Sequence, residues 1–344
     1  MKVLNLILFL LITNFNKNVF SQNKPINKIA FGSCSYQYKP QPILDKIVET
    51  KPDIFIYMGD NIYGDTDNMD SLKKEYSVLA AKPEFINLKK NVKLYATWDD
   101  HDFGENDAGR HYPKKEESKE IFLNFFEEPK NSSRWKHKGI YHSEMLGDKK
   151  NSVQIILLDT RTFRDDLIER KKSDTLFKND YIPYTTSDST ILGTEQWKWL
   201  EKELKKKANI KIIVSSNQFA HSYNGYESWT NFPHEQTKML ELIKSTKANG
   251  VIFISGDVHW GELSVINYPN LYPIYDITSS GITQKWPKVE PNTNRIGNPI
   301  RENNYGLITI DNSTKIPGLT FQLIDNQNKV VLEKKISADE LQIK

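Results

Sequence analysis

Carboxylates crowd one short stretch of this 344-residue chain. In "LYATWDDHDFGEND" (94–107) a β-prone run ends in Asp99, Asp100, His101 and Asp102, with Glu105 and Asp107 just beyond. Like charges packed so densely repel one another unless they are solvated or share cations. Other polar groups with matching chemistry are Cys34 in "FGSCS", Asp60, Asn61 and Tyr63 in "GDNIY", Asn217 and Gln218 in "SSNQ", and Asp257 and His259 in "GDVH". As one set they supply mainly hard oxygen ligands, a few nitrogens and one sulfur. That mixture suits calcium, magnesium, manganese or ferric iron better than zinc. Two such ions about 3.5–4 Å apart, bridged by a carboxylate, clamp a phosphoryl group and ionise water at neutral pH.

Each member alone has an ordinary structural explanation. Gly-Asp after a strand makes a turn, a lone Tyr63 packs in a core, His101 accepts or donates a structural hydrogen bond, and Asn217 caps a helix. Cys34 has no cysteine partner, so it is either buried and inert or holds a metal. Arg161 stays open between gripping a phosphate oxygen bidentately and pairing with Asp159 or Asp166. Order and co-location of the whole set argue for chemistry.

The elements that must position these residues are legible in the apolar runs. Segments 28–37, 52–65, 92–102, 152–164, 210–222 and 250–262 each read as a strand that ends in one of the polar clusters. Their near-continuous Val, Ile, Leu and Phe content is that of strands buried on both faces. Helical patterns lie between them, which predicts an α/β sheet with one composite site beyond the carboxyl ends of its strands. After Gly281, segments 304–312 and 319–336 read as antiparallel strands, the second a hairpin turning at Asp325 to Asn328, that complete a second sheet or its edge. Segments 177–194 and 284–303 read as irregular insertions over the site. Trp260, Trp229, Tyr223, Tyr226 and Trp286 are candidates to line a substrate cleft.

"MKVLNLILFLLITNFNKNVFSQ" has a basic start, an apolar core from Val3 to Ile12 and small Ser21 before Gln22. This is signal-peptide anatomy over residues 1–21, and the apolar run is too short to span a bilayer. The expectation is an exported protein, periplasmic or secreted, whose residues 22–344 form one domain, with no stable membrane span and a monomeric state. The formal charge of +3 falls to +1 once Lys2 and Lys17 are removed (3 − 2). A balance so near neutral gives no electrostatic case for nucleic-acid binding.

Together "GDNIY", "DDHD", "SNQ" and "GDVH" resemble the metallophosphoesterase superfamily, and with "FGSCS", "LLDTR" and "SSNQ" the chain closely resembles the PhoD-like alkaline phosphatase/phosphodiesterase family from about Cys34 to Gly281. The superfamily's opening Asp-x-His motif is replaced by Cys34, and nothing matches the N-terminal β-domain of longer members. The resemblance implies a four-layer α/β/β/α sandwich with two mixed β-sheets. It implies Asp60 as the bridging carboxylate, Asp100 and His101 in place of the superfamily's "GNH" pair, Asn217 in place of an isolated His ligand, and Asp257 and His259 as the closing pair. "GDNIY" also resembles the Gly-Asp-x-x-Tyr motif of purple acid phosphatases, whose Tyr binds ferric iron; a phenol of pKa about 10 needs a strong Lewis acid to ionise at neutral pH. The implied sites are Fe³⁺ on Cys34, Asp60, Tyr63 and His259, and Ca²⁺ on Asp60, Asp100, Asn217 and Asp257, with Mg²⁺, Mn²⁺ or Zn²⁺ able to replace either.

The implied activity is hydrolysis of small phosphomonoesters, phosphodiesters or both, with water activated by the ions and the His101 imidazolium protonating the leaving alkoxide. Asp99 or Asp102 is expected to orient that imidazole. The alternatives are another two-metal hydrolase, such as a nucleotidase or a phospholipid or cyclic-nucleotide phosphodiesterase, and, outside enzymes, a secreted calcium-binding module.

Overall fold

A computed structural model describes residues 24–148 and 150–343; the expected signal peptide lies outside the described residues. In chain order the strands begin with β1 (Lys28–Gly32), β2 (Ile54–Met58), β3 (Lys93–Thr97), β4 (His142–Leu146) and β5 (Val153–Leu157). Next come β6 (Ile168–Glu169), β7 (Tyr181–Ile182), β8 (Ile210–Ser215), β9 (Val251–Ser255) and β10 (Gly261–Ile266). The last are β11 (Ile274–Ser279), β12 (Arg295–Ile300), β13 (Asn304–Asp311), β14 (Gly318–Asp325) and β15 (Val330–Ser337). The helices are α1 (Pro42–Glu49), α2 (Met69–Ala80), α3 (Pro83–Asn91), α4 (Asp100–Phe103), α5 (Lys115–Phe125), α6 (Gly193–Leu204) and α7 (Pro233–Ser245).

Two mixed sheets are formed, ordered β15-β14-β13-β1-β2-β3 and β12-β10-β11-β9-β8-β5-β4, besides the small β6-β7 pair. Each large sheet holds a parallel run, β1-β2-β3 in one and β5-β8-β9-β11 in the other. The inner strands are apolar on both faces, as IFIYM of β2 and VIFIS of β9 show with every residue buried, which is what covering a parallel sheet on two sides demands. One apolar cluster joins Ile29, Ile56 and Phe321 of the first sheet to Ile212, Phe253 and Ile277 of the second, and continues to Trp197 of α6 and Met239 of α7. A second cluster packs Phe55 and Tyr57 against Leu72, Leu79 and Phe122 of the other helices. Helices therefore cover the outer faces of two stacked sheets, the expected four-layer α/β/β/α sandwich.

Three details differ from the pattern read in the sequence. β13, β14 and β15 pair onto β1 and extend the first sheet instead of building a separate one. The helical stretch after β2 is two helices, because Pro83 restricts Lys82 to an extended backbone (φ −70°, ψ 129°) and starts α3 anew. Insertion 284–303 contributes β12, antiparallel to β10, so it is partly a sheet edge.

Candidate metal centre

All six polar clusters sit beyond the carboxyl ends of the two parallel runs: Cys34, Asp60 and Asp99 to Asp102 after β1, β2 and β3, and Arg161, Asn217 and Asp257 to His259 after β5, β8 and β9. The strand ends meet closely, within the first sheet at Gly59 and between the two sheets at Gly256. A methyl group on Gly59 (φ +103°) would lie 2.6 Å from Asp99 Cβ, and one on Gly256 would lie 2.4 Å from Ser33 Oγ, so only glycine lets these turns touch. Immediately after the strands, Cys34, Asp60, Asp257 and His259 adopt left-handed backbones with φ of 61°, 51°, 75° and 63°. For Cys34 and His259 this costs on the order of 1–3 kcal/mol each and is the kind of strain concentrated at functional sites. It turns their side chains inward together.

Cys34 Sγ lies 3.3 Å from Asp60 Oδ2 and 3.1 Å from Ser280 Oγ. Tyr63 Oη lies 3.3 Å from the same Asp60 oxygen and 3.0 Å from His259 Nε2. Ligand atoms of Cys34, Asp60 and His259 fall within 4.8 Å of one another, as do those of Asp60, Asp100 and His101. Asp60 belongs to both triads. Its Oδ1, Asp100 Oδ1 and Asn217 Nδ2 are buried with no hydrogen-bond partner, an expensive state for polar atoms in a protein interior. A mixed sulfur, nitrogen and oxygen set with orphaned carboxylate oxygens fits cations well.

Burial pushes the Cys34 thiol up to about 12. Burial and the neighbouring Cys34 raise Asp60 and Tyr63 well above their ordinary values; burial, then Asp99 and Glu227, raise Asp257 likewise. Groups held this way ionise only beside a compensating positive charge. His259 is pushed down to about 4 by burial and the charge of His101, leaving a neutral imidazole able to ligate. At His101 burial opposes the charged form, but Asp60, Asp100 and Asp65 outweigh it and hold the pKa up at about 11.

The orienting group of His101 is Asp65, whose Oδ1 is 2.7 Å from Nδ1, and the imidazole also lies against Tyr63 with ring centroids 4.1 Å apart. Asp99 and Asp102 act elsewhere. Asp102 accepts from the backbone N–H groups of Asn61 and Asp99 and from Tyr76 Oη, tying the β2 turn to α4. Asp99 accepts from Ser216 Oγ at 2.7 Å and pairs with Arg161. Arg161 is fully buried. Its guanidinium forks onto both oxygens of Glu227, one contact at 2.8 Å, and lies 3.5 Å from Asp100 Oδ1. Of the two roles left open for Arg161 the ion pair is the one formed, with Asp99 and Glu227 in place of Asp159 or Asp166, and its donors are turned to those acids instead of to the open cleft. Arg164 adds a second contact to Glu227 at 3.1 Å. Asp99, Glu227 and the two arginines thus balance internally, which leaves Asp60, Asp100 and Asp257 as the acids available to cations.

Asp100 is aimed by the Asp107 N–H, 2.8 Å from its Oδ2. Burial acts against its carboxylate, yet Arg161 and His101 prevail and hold its pKa below the ordinary value. Asn217 ends the β8 turn, buried, and among the described residues its side chain forms no hydrogen bond to either triad. Asp257 and His259 open onto a cleft that also meets Tyr226, Trp260 and Trp286. Trp229 and Tyr223 do not: Trp229 is fully buried on Ser215 Oγ, and Tyr223 bonds the carbonyls of Lys178 and Tyr181. Glu227 and Asp65 were missed in the sequence because neither ends an apolar run; Asp65, two residues past Tyr63, had proximity to "GDNIY" as its one signal.

The PhoD-like phosphatase family profile matches residues 29–304. Alkaline phosphatase D of Bacillus subtilis (strain 168) is 24% identical over 299 residues, covering 76% of this chain; the chain spans about half (49%) of that relative's length. Among solved structures, one titled "Structure of PhoD" superposes over 94% of this chain and 72% of its own with a TM-score of 0.70 at 17% identity. "GAP50 the anchor in the inner membrane complex of Plasmodium" matches over 93% and 90% with a TM-score of 0.54 at 14% identity. At such identities these structures speak for the fold alone.

Proposed function

The chain belongs to the PhoD-like phosphatase family, and from that premise we propose that it is an exported, cation-dependent phosphoester hydrolase acting on phosphomonoesters, phosphodiesters or both. One observation carries the reading: Asp60 is common to the Cys34-Asp60-His259 and Asp60-Asp100-His101 triads, the arrangement a bridging carboxylate requires. Cys34, Asp60, Tyr63 and His259 would hold one cation, with Fe³⁺ favoured by the phenol and thiol; Asp60, Asp100, Asn217 and Asp257 would hold the other, with Ca²⁺ favoured by oxygen donors. Bound there, the cations would offset the phosphate charge and acidify water.

The chain's own groups do the rest. His101 carries a proton on the imidazole whose Nδ1 faces Asp65, so Nε2 is the atom that protonates the departing alkoxide. Asp65 fixes the ring's tautomer and direction. Arg161 is a positioning residue that neutralises Asp99 and Glu227 and braces Asp100. Export is supported by the pattern of residues 1–21, and among the described residues no helix is long and apolar enough to cross a membrane.

The test is hydrolysis of p-nitrophenyl phosphate and bis(p-nitrophenyl) phosphate by cation-replete protein, alongside elemental analysis. Turnover of either ester, abolished by chelation, is expected. Calcium without iron and no turnover of either ester would favour a calcium-binding module instead.

A further inference from the structure

The cleft beside the triads is small and carries a one-sided charge. It encloses about 200 Å³, below the roughly 300–1,000 Å³ of drug-sized pockets, so a compact group fills it. Because Asp257 and His259 belong both to its wall and to the cation residues, its occupant is an arm of the phosphate ester under attack. Among the described residues eleven line it; four of these are Asp or Glu and none is Lys or Arg. Of these acids Glu227 is committed to Arg161 and Arg164, and Asp107 accepts from Tyr181 Oη. Asp180 is exposed and, among the described residues, its carboxylate has neither an ion pair nor a hydrogen bond. The nearby Lys178 and Lys288 are both taken by Glu290, at 2.6 and 3.0 Å.

Aromatic rings make up much of the remaining wall. Trp286 is 39% exposed, stands edge-on to Tyr226 with centroids 6.1 Å apart, and is pinned over the site by its backbone N–H to the His259 carbonyl at 3.1 Å. Ring faces flanked by carboxylates attract an ammonium group, and most effectively one without N–H donors, which needs no hydrogen-bond acceptor. A second phosphate or a carboxylate would be repelled by Asp180, the wall acid without a partner among the described residues. A nucleobase would stack on Trp286 but leave Asp180 without a counter-charge.

We propose that this cleft binds an ammonium-bearing alcohol, so that phosphate esters of amino alcohols are preferred substrates. In the reaction the oxygen of water bonds to phosphorus and gives up one proton to solvent, the bond from phosphorus to the amino-alcohol oxygen breaks, and that oxygen takes its proton from His101, which solvent then recharges. Turnover rests on the hydrolase reading above; binding of the alcohol does not.

The test has two arms on the mature, cation-replete protein. Titration calorimetry compares choline with its neutral isostere 3,3-dimethylbutanol, and phosphate release compares phosphocholine with 3,3-dimethylbutyl phosphate. Choline is expected to bind about tenfold more tightly than the isostere, and Trp286→Ala and Asp180→Asn are each expected to lower its affinity several-fold and shrink the ratio between the two esters. The change of ratio is decisive, because intrinsic leaving-group reactivity is the same for every variant. Equal affinity for the two alcohols, tighter binding of adenosine than of choline, or a choline affinity untouched by both substitutions overturns the cleft assignment, whatever p-nitrophenyl phosphate shows. Choline binding with no ester hydrolysed upholds the cleft and overturns the hydrolase reading.

Discussion

Asp65 Oδ1 faces His101 Nδ1 at 2.7 Å across the mouth of the centre. A carboxylate on Nδ1 fixes which nitrogen presents the proton to substrate and favours the imidazolium. Asp65→Asn keeps the size and removes the charge. Turnover of alkyl phosphates, whose leaving oxygen needs a proton, is expected to fall by roughly 10–100-fold, while p-nitrophenyl phosphate loses far less because p-nitrophenolate leaves unprotonated. Equal losses on the two substrate classes would remove Asp65 from the proton-transfer pair.

Arg161 gives a second discriminating variant. With its guanidinium buried between Asp99 and Glu227, Arg161→Met would strand Asp99 beside Asp100 and Asp257 and leave Glu227 to Arg164 alone. Breaking a buried ion pair from one side costs about 3–5 kcal/mol, and urea denaturation should show a loss of that order together with lost activity. A variant with unchanged stability and a raised KM would restore Arg161 to the phosphate-gripping role open in the sequence.

Much of the centre was legible because its residues follow strands buried on both faces, and such strands announce themselves as apolar runs. That rule gathers Cys34, Asp60, Asp100 and His259 at one end of the strands; which of them would hold a cation is what the family resemblance implies. β4 was silent, since its five residues are intermediate or exposed, and the polar GELSVI of β10 hides a buried strand. The orienter of His101 was misread for a geometric reason. Successive residues of a helical turn point about 100° apart, so α4 sends Asp102 back to its own cap and Asp99 towards Arg161, away from the imidazole. Asp65 and Glu227 reach the site by tertiary paths that local patterns do not encode.

Stability should depend on pH through Lys211, far along β8 from the centre. Its ammonium is 2.8 Å from Gln154 Oε1, and burial, outweighing the attraction of Glu203, pushes its pKa down to about 8. The unfolded chain, with a lysine pKa of about 10.4, then binds more protons than the fold between these values. The penalty is therefore full below pH 8 and is relieved as pH rises towards 10.4. Comparing native protein with Lys211→Met by urea denaturation at pH 8 and pH 10, the native protein should gain on the variant by about 1–2 kcal/mol. A difference independent of pH would show that Lys211 titrates normally.

Cation removal tests the centre most directly. Cys34, Asp60, Tyr63 and Asp257 are all held towards their neutral forms by burial first, with the neighbouring Cys34 adding to it at Asp60 and Tyr63 and with Asp99 and Glu227 adding to it at Asp257, and positive charge among them relieves both effects. Cations that bind the fold and not the unfolded chain stabilise it by mass action, so chelation should lower the melting temperature and re-addition of Ca²⁺ with ferric iron should restore it. Tyr63 adds a spectroscopic handle, since its oxygen is placed 3.0 Å from His259 Nε2 and 3.3 Å from Asp60. As isolated, the protein should show a visible phenolate-to-iron absorption. Tyr63→Phe should abolish that band while leaving calcium content intact, because no phenol is needed in the oxygen-only set. A colourless, iron-free protein that hydrolyses phosphate esters would remove iron from the site and leave the Asp60-centred pair to another metal.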